Sequence, residues 1–358
     1  MALSAACPIS YRLGAAALRR APVVRASVLY AVGGMYGNLE ALKYIRQRAE
    51  AEVSGPATVV LNGDFNFFNA TSDWWRELNA TIRRDHIAMA GNCEVESADF
   101  SSTGCGCGYP AYTPPEIIKR SDRIVGALRI AAKAARADDE SSADELLGWL
   151  RKLPKALVAE VGEQKQRVGI VHGDVESLAG WQLGVEVMEP SDDALRAALG
   201  CDVASGATHL PITPQSTVTE WCAEADVVGL LCTHTCLPFG QLLRPSRLPS
   251  QSQSLRLAVF NNGSAGMPNF ESTRYGLMTR VSDDPTPPAD SLYGGYSGGL
   301  RYDALPVHYD HDRWIKRFEA VWPAGSDAHA SYHRRLLHGP GGFTPSQAAR
   351  EGVELLLQ

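Results

Sequence analysis

The chain reads as an α/β fold on three observations. Short apolar runs such as VVL at 59–61 and VGIV at 168–171 stop after a few residues in polar or glycine-containing turns, which is the pattern of buried strands. Stretches between them, 39–52 and 73–84 among others, carry apolar residues at helical spacing. The turn Asn62-Gly63-Asp64 places a single carboxylate just beyond a strand, at the sheet edge where open α/β folds keep their chemistry.

Taken in order, residues 27–32 form the first expected strand, followed by Gly33-Gly34-Met35-Tyr36-Gly37-Asn38 and an amphipathic helix over 39–52. The unit repeats with a strand at 58–61, the Gly63-Asp64 turn, and a helix over 73–84 whose Trp74 and Trp75 belong to the core. A short run at 87–90 leads into Gly91-Asn92-Cys93-Glu94. Small residues, Gly, Pro and Tyr make 101–115 a loop, and helices follow over 116–136 and 143–152. Strands at 156–161 and 168–171, joined by a polar turn, predict an antiparallel hairpin that enters His172-Gly173-Asp174. Helices near 192–199 and 217–225 precede a strand at 227–232 ending in Thr233-His234-Thr235-Cys236. A further strand at 255–260 ends in Asn261-Asn262-Gly263-Ser264, and 275–281 is expected to pair beside it.

The ends of the chain differ in character. Residues 1–26 carry Arg12, Arg19, Arg20 and Arg25, and no acidic residue precedes Glu40. That Ala-rich, Arg-containing, acid-free composition matches a removable organelle transit peptide, for a chloroplast ahead of a mitochondrion, with a cytoplasmic protein bearing a plain tail as the alternative. Residues 282–299 are rich in Asp, Pro, Ser and Gly and read as a linker or surface loop. Residues 300–358 read as a helical carboxy-terminal appendage around a helix at 312–321, packed on the core or used for homo-oligomer formation.

Composition narrows the class. With 358 residues, 45% hydrophobic and 21% charged, the chain builds a large core, and its apolar runs stay far short of a membrane span. A net charge of −6 gives no basic footprint for nucleic acid. The eight cysteines need not form a disulfide framework in a chain of this size, and reduced thiols are expected.

The polar turns form an ordered set: GGMYGN (33–38), GDFN (63–66), GNCE (91–94), HGD (172–174) and THTC (233–236). The set resembles the calcineurin-like metallophosphoesterases, whose motifs run DxH, GD, GNH(D/E), H and GHxH in the same order. The resemblance covers residues 27–281. It implies a four-layer α/β/β/α sandwich and a metal-dependent phosphoric ester hydrolase. Three departures stand out. Gly34 and Tyr36 replace the Asp and His of DxH, Cys236 replaces the second His of GHxH, and Cys93 replaces the His of GNH. The first metal position therefore lacks its expected ligands.

The ligands that the resemblance implies for the other position are all present: Asp64, Asn92, His172 and His234. A carboxylate, an amide oxygen and two imidazoles suit Mn, Fe or Zn, one ion per chain, with Cys236 as a further sulfur ligand that could partly rebuild the first position. Such an ion would hydrolyse a phosphoester through metal-bound hydroxide, with Cys93 or Glu94 as proton donor to the leaving group. The other reading is a catalytically silent module that binds a metal or a small phosphorylated ligand. Cys105-Gly106-Cys107 is spaced too closely for a C-x2-C zinc knuckle and reads as a loop beside the site, able to give a sulfur ligand or a redox-sensitive pair. The histidines at 308, 311, 329, 333 and 338 are irregularly spaced and read as surface or interface residues.

Overall fold

The computed structural model describes residues 9–111, 113–198, 211–244 and 256–356. A short 3-10 turn (Ile9–Tyr11), α1 (Ala15–Arg19) and β1 (Val23–Ala26) lead into β2 (Val28–Val32), α2 (Leu39–Glu50), β3 (Thr58–Leu61), α3 (Ser72–Asp85), β4 (Ile87–Ala88) and α4 (Asn92–Ala98). Next come α5 (Pro115–Asp138), α6 (Glu140–Lys152), β5 (Ala156–Val161), β6 (Gln166–Val171), α7 (Asp193–Ala198), α8 (Gln215–Ala225), β7 (Gly229–Cys232), β8 (Phe239–Leu243) and β9 (Leu257–Asn261). The chain finishes with β10 (Gly276–Ser282), β11 (Tyr293–Ser297), β12 (Leu300–Val307), α9 (His311–Val321), α10 (Asp327–His338), α11 (Pro345–Ala348) and β13 (Glu354–Leu355).

The strands form two sheets, a six-stranded one in the order β1-β5-β6-β7-β9-β8 and a seven-stranded one in the order β13-β11-β12-β10-β2-β3-β4. Strand β2 shows how they stack, because successive side chains in a strand face opposite ways. Leu29 and Ala31 join the cluster that includes Val158, Ile170, Leu230 and Val259 of the other sheet. Val28, Tyr30 and Val32 pack instead with Ile45, Leu78, Ile82 and Leu147 of the helices. The result is helices, seven-stranded sheet, six-stranded sheet, helices. All five positions of β2 are buried, as are those of β7 and β9, which is why they read as unbroken apolar runs rather than as alternating strands.

Several expected boundaries shift. Residues 1–8 lie outside the described residues, but from Ile9 the supposed address is built into the fold. Val23 to Ala26 pair in parallel with Val158 to Val161, and Tyr11 and Leu18 are buried at 0% and 1% exposure. Strand β10 pairs with β2 and β12 in the other sheet, not with β9. The partners of β9 are β7 on one side and, on the other, the antiparallel β8, whose sequence carries no separate signal. The expected linker contains β11, and the expected appendage begins with β12, which pairs with β10 over seven positions. The helical remainder, α9 and α10, supplies Trp314, Phe318 and Leu336 to a third cluster with Tyr36, Phe67, Phe68 and Trp74, against the turns that carry the candidate site. Among the described residues no helix is long and apolar enough to cross a membrane.

Candidate metal centre

The parallel strands of both sheets deliver their polar turns to one place. Asp64 follows β3 and Asn92 follows β4, while His172 follows β6 and His234 follows β7. The sheets are tied together there, since Asn62 Nδ2 donates to the Val171 carbonyl at 3.3 Å. Close approach at this edge requires glycine. A Cβ on Gly63 would lie 2.6 Å from His172 Nδ1, and one on Gly91 would lie 2.5 Å from the Asp64 amide nitrogen.

Four atoms with lone pairs converge. His172 Nε2 lies 3.4 Å from Asp64 Oδ2, 3.2 Å from Asn92 Oδ1 and 3.2 Å from His234 Nδ1. The outer partners fix which face each group presents. His172 Nδ1 is 2.9 Å from the Asn62 carbonyl and His234 Nε2 is 2.8 Å from the Cys107 carbonyl. A carbonyl only accepts, so those nitrogens carry hydrogen and, in the neutral rings, the inward ones are bare. Asn92 Nδ2 donates to the Cys105 carbonyl at 2.9 Å, which turns its oxygen inward. A carboxylate oxygen, an amide oxygen and two imidazole nitrogens thus face one another without a donor among them. Either a proton on His172 Nε2 or a cation must supply the positive charge.

The spacing suits a cation. Ligand atoms about 2.1 Å from a tetrahedral metal sit about 3.4 Å apart, and the three separations measured from His172 Nε2 are 3.2 to 3.4 Å. Asp64, His172 and His234 are buried and their ligand atoms lie within 4.8 Å of one another. In the metal-free protein their protons are strongly linked. Burial works against a charged His172, yet the adjoining Asp64 outweighs it and raises the histidine above its ordinary value. Burial likewise opposes the Asp64 charge, but His172 keeps that carboxylate below its ordinary value. His234 is pushed down to about 4 by burial, reinforced by His172, and stays neutral.

Glu94 and Cys93, read from sequence as proton donors, occupy different places. Glu94 Oε2 accepts from the Asp64 and Gly91 amides at 2.7 and 2.9 Å, and Oε1 accepts from the backbone and side-chain nitrogens of Asn66 at 2.9 and 3.1 Å. It is fully buried. Burial, with the charge of Asp64, pushes it up to about 7 despite these four donors. Both of its oxygens are occupied by donors from the Asp64 turn, Gly91 and Asn66. The amide of Cys93 donates to Asp64 Oδ1 at 3.1 Å, and burial pushes its thiol well up, so it remains protonated.

Cys236 does not join the inward-facing set. Its sulfur lies 2.8 Å from the Tyr36 hydroxyl and 3.3 Å from the His234 carbonyl. The Cys105-Gly106-Cys107 segment has a role that sequence reading left open. Its carbonyls hold Asn92 and His234, Cys107 Sγ is 3.4 Å from Asn92 Nδ2, and Trp181 Nε1 donates to the Cys107 carbonyl at 3.0 Å. The loop is a cap, leaving Asp64 5% and His234 6% exposed. Among the described residues the six cysteines are free thiols. Of the carboxy-terminal histidines, His311 bonds the Leu336 carbonyl and His333 bonds Glu319.

No family model and no curated protein sequence matches this chain. Solved structures similar to it include a metallophosphoesterase from Sphaerobacter thermophilus, 14% identical over 88% of this chain and 100% of that one, with a TM-score of 0.46. A hypothetical protein from Pyrococcus horikoshii OT3 is 15% identical over 88% and 99%, with a TM-score of 0.49. A protein serine/threonine phosphatase from Saccharomyces cerevisiae is 13% identical over 83% and 88%, with a TM-score of 0.36. These are distant likenesses of overall shape, and the chemistry of the centre rests on its own residues.

Proposed function

We propose that the protein is a metal-dependent phosphoric ester hydrolase that works with one divalent cation held by Asp64, Asn92, His172 and His234. The observation that carries this reading is the inward set of lone pairs, with every competing hydrogen turned outward onto a carbonyl. A divalent cation held there by Asp64, Asn92, His172 and His234 would lower the pKa of a water toward neutrality and would attract a phosphoryl oxygen. The protein's share is to fix the ligands in one protonation state. Asn62 and Cys107 set the two imidazole tautomers through their carbonyls, and Glu94 holds the Asp64 turn.

The substrate we propose is a small phosphorylated molecule, because the approach is narrow. The 104–109 loop lies directly on two of the ligands, and Trp181 and Tyr109 stand at its side with ring centroids 5.7 Å apart. Turnover requires this loop to lift far enough to admit a phosphoryl group.

The test is elemental analysis of purified full-length protein followed by a screen of nitrophenyl phosphomonoesters and diesters. About one Mn, Fe or Zn per chain, lost together with hydrolysis in His234→Ala, is the expected result. Bound metal without hydrolysis of any ester would move the protein to a silent binding module. No metal after incubation with a panel of divalent ions would remove the ligand assignment itself.

A further inference from the structure

Three positions where the motif resemblance implies first-metal ligands carry other residues, Gly34, Tyr36 and Cys236, and the fold places Tyr36 against both of the others. The Tyr36 ring lies over Gly34: a Cβ at position 34 would sit 2.7 Å from Cε2, Cζ and the hydroxyl of that ring. The same hydroxyl is 2.8 Å from Cys236 Sγ. A glycine makes room, a phenol fills it, and a thiol closes it with a hydrogen bond.

The phenol is firmly seated. Tyr36 is 4% exposed, and its amide donates to the Asp64 carbonyl at 3.1 Å. Phe67 and Phe68 flank its ring at centroid distances of 5.6 and 5.9 Å. On the other side the Cys236 carbonyl accepts from Arg335 Nη2 of α10 at 2.9 Å, so the carboxy-terminal helices brace the thiol's backbone. Nothing in this group offers a cation a charged oxygen or an imidazole, and the space a carboxylate at 34 would need belongs to the ring.

We propose that Gly34, Tyr36 and Cys236 form a plug that fills the first metal position, so that the centre is built to hold one cation rather than having lost the other by decay. The inference deepens the single-cation reading above and rests on it only for the cation at Asp64, Asn92, His172 and His234. It also makes the three departures interdependent. Aspartate at 34 collides with the ring while Tyr36 remains, in addition to the backbone strain that any side chain meets at the Gly34 φ of +34°, and a longer side chain at 236 meets the Tyr36 hydroxyl. Only joint replacement opens the position.

The experiment compares metal content per folded chain in the wild type, in Gly34→Asp alone, and in the triple variant Gly34→Asp/Tyr36→His/Cys236→His, each loaded with Mn²⁺ and freed of excess. The expected result is one additional ion per chain in the triple variant and no gain in the single one. A triple variant that folds, as judged by circular dichroism, and gains no ion overturns the plug, as does a wild type that already holds two. A wild type with none and a triple variant with one would sink the retained-site reading while leaving the plug standing. Should the triple variant fail to fold, the electron paramagnetic resonance spectrum of Mn²⁺-loaded wild type decides. An isolated six-line signal supports the plug, and an exchange-coupled pair overturns it.

Discussion

Gly91→Ala isolates the close packing behind the metal centre. Gly91 has φ −99 and ψ −178, an extended conformation open to any residue, so the substitution adds no backbone strain. What it adds is one methyl group, 2.5 Å from the Asp64 amide nitrogen and 2.8 Å from His172 Cε1, in direct collision with Asp64 Oδ1. Ordinary contact begins at 3.4 Å, so His172 would have to retreat by 0.6 Å (3.4 − 2.8) and the Asp64 backbone by 0.9 Å (3.4 − 2.5). Overpacking of this kind costs about 1–3 kcal/mol of stability. Metal ligands tolerate displacements of only about 0.2 Å, so we expect metal affinity to fall by at least the ~10–100-fold typical of lost ligand support. Gly148 of α6 is the control, because a Cβ there meets nothing within 4 Å, and Ala should stabilise that helix by about 0.5–1 kcal/mol. Competitive metal titration against a fluorescent chelator, paired with urea unfolding, reads both effects. Unchanged metal affinity in Gly91→Ala would refute the claim that the two sheet edges meet at contact distance around Asp64 and His172.

Three further expectations follow from the same geometry. A chain beginning at Ser27 loses β1 together with buried Tyr11 and Leu18; at about 1.5–3 kcal/mol for each large buried side chain, it should unfold at markedly lower urea than the full chain, and an equal midpoint would mean that residues 9–26 are dispensable. Glu94→Gln places an amide NH₂ against two N–H donors in whichever way it is turned, so stability should drop by about 1–3 kcal/mol with metal content falling in step; normal stability and metal with lost turnover alone would return Glu94 to the role of proton donor. His172 has its folded pKa raised by Asp64, so its contribution to metal-free stability is complete below its unfolded value of about 6.5 and is lost as pH rises through the folded one. A cation must displace that proton, and metal affinity should therefore tighten with pH, releasing about one proton per ion; calorimetry in buffers of different ionisation enthalpy that found no proton release would count against an imidazole ligand.

How far the sequence could reveal this site depends on what kind of atom does the work. Asp64 is legible because it follows a short apolar run, and strands of a layered α/β fold deliver their ends to a common edge; Asn92, His172 and His234 join it only through the order of the motifs that the resemblance supplies. The cap on those ligands was not legible, since it acts through the carbonyls of Cys105 and Cys107, and a carbonyl carries no residue identity. Strand β11, YGGYS, was hidden for another reason. Its glycines and serine have turn composition, and it is a strand because it pairs with β12 from Tyr293 to Ser297, a case of tertiary pairing overriding local preference. The packing of residues 9–26 is not legible in their Ala- and Arg-rich composition, because burial of Tyr11, Ala15 and Leu18 and the pairing of Val23 to Ala26 with β5 depend on partners far along the chain.

The departures at 34, 36 and 236 show where sequence reading stops and geometry takes over. As separate letters they look like three losses, each of which weakens the case for a working centre. In contact they constitute a single arrangement, because the ring of Tyr36 occupies the space that Gly34 leaves and its hydroxyl meets Cys236. Decay predicts independence: any one of the three could revert without regard to the others. A plug predicts the opposite, with Asp at 34 costing distinctly less once Tyr36 has gone, beyond the fixed strain of the Gly34 φ of +34°. Additive effects of the single and triple substitutions on stability would therefore favour decay. Strong non-additivity among residues in direct contact is the mark of a unit, and it would make the intact half of the centre a one-cation site by construction.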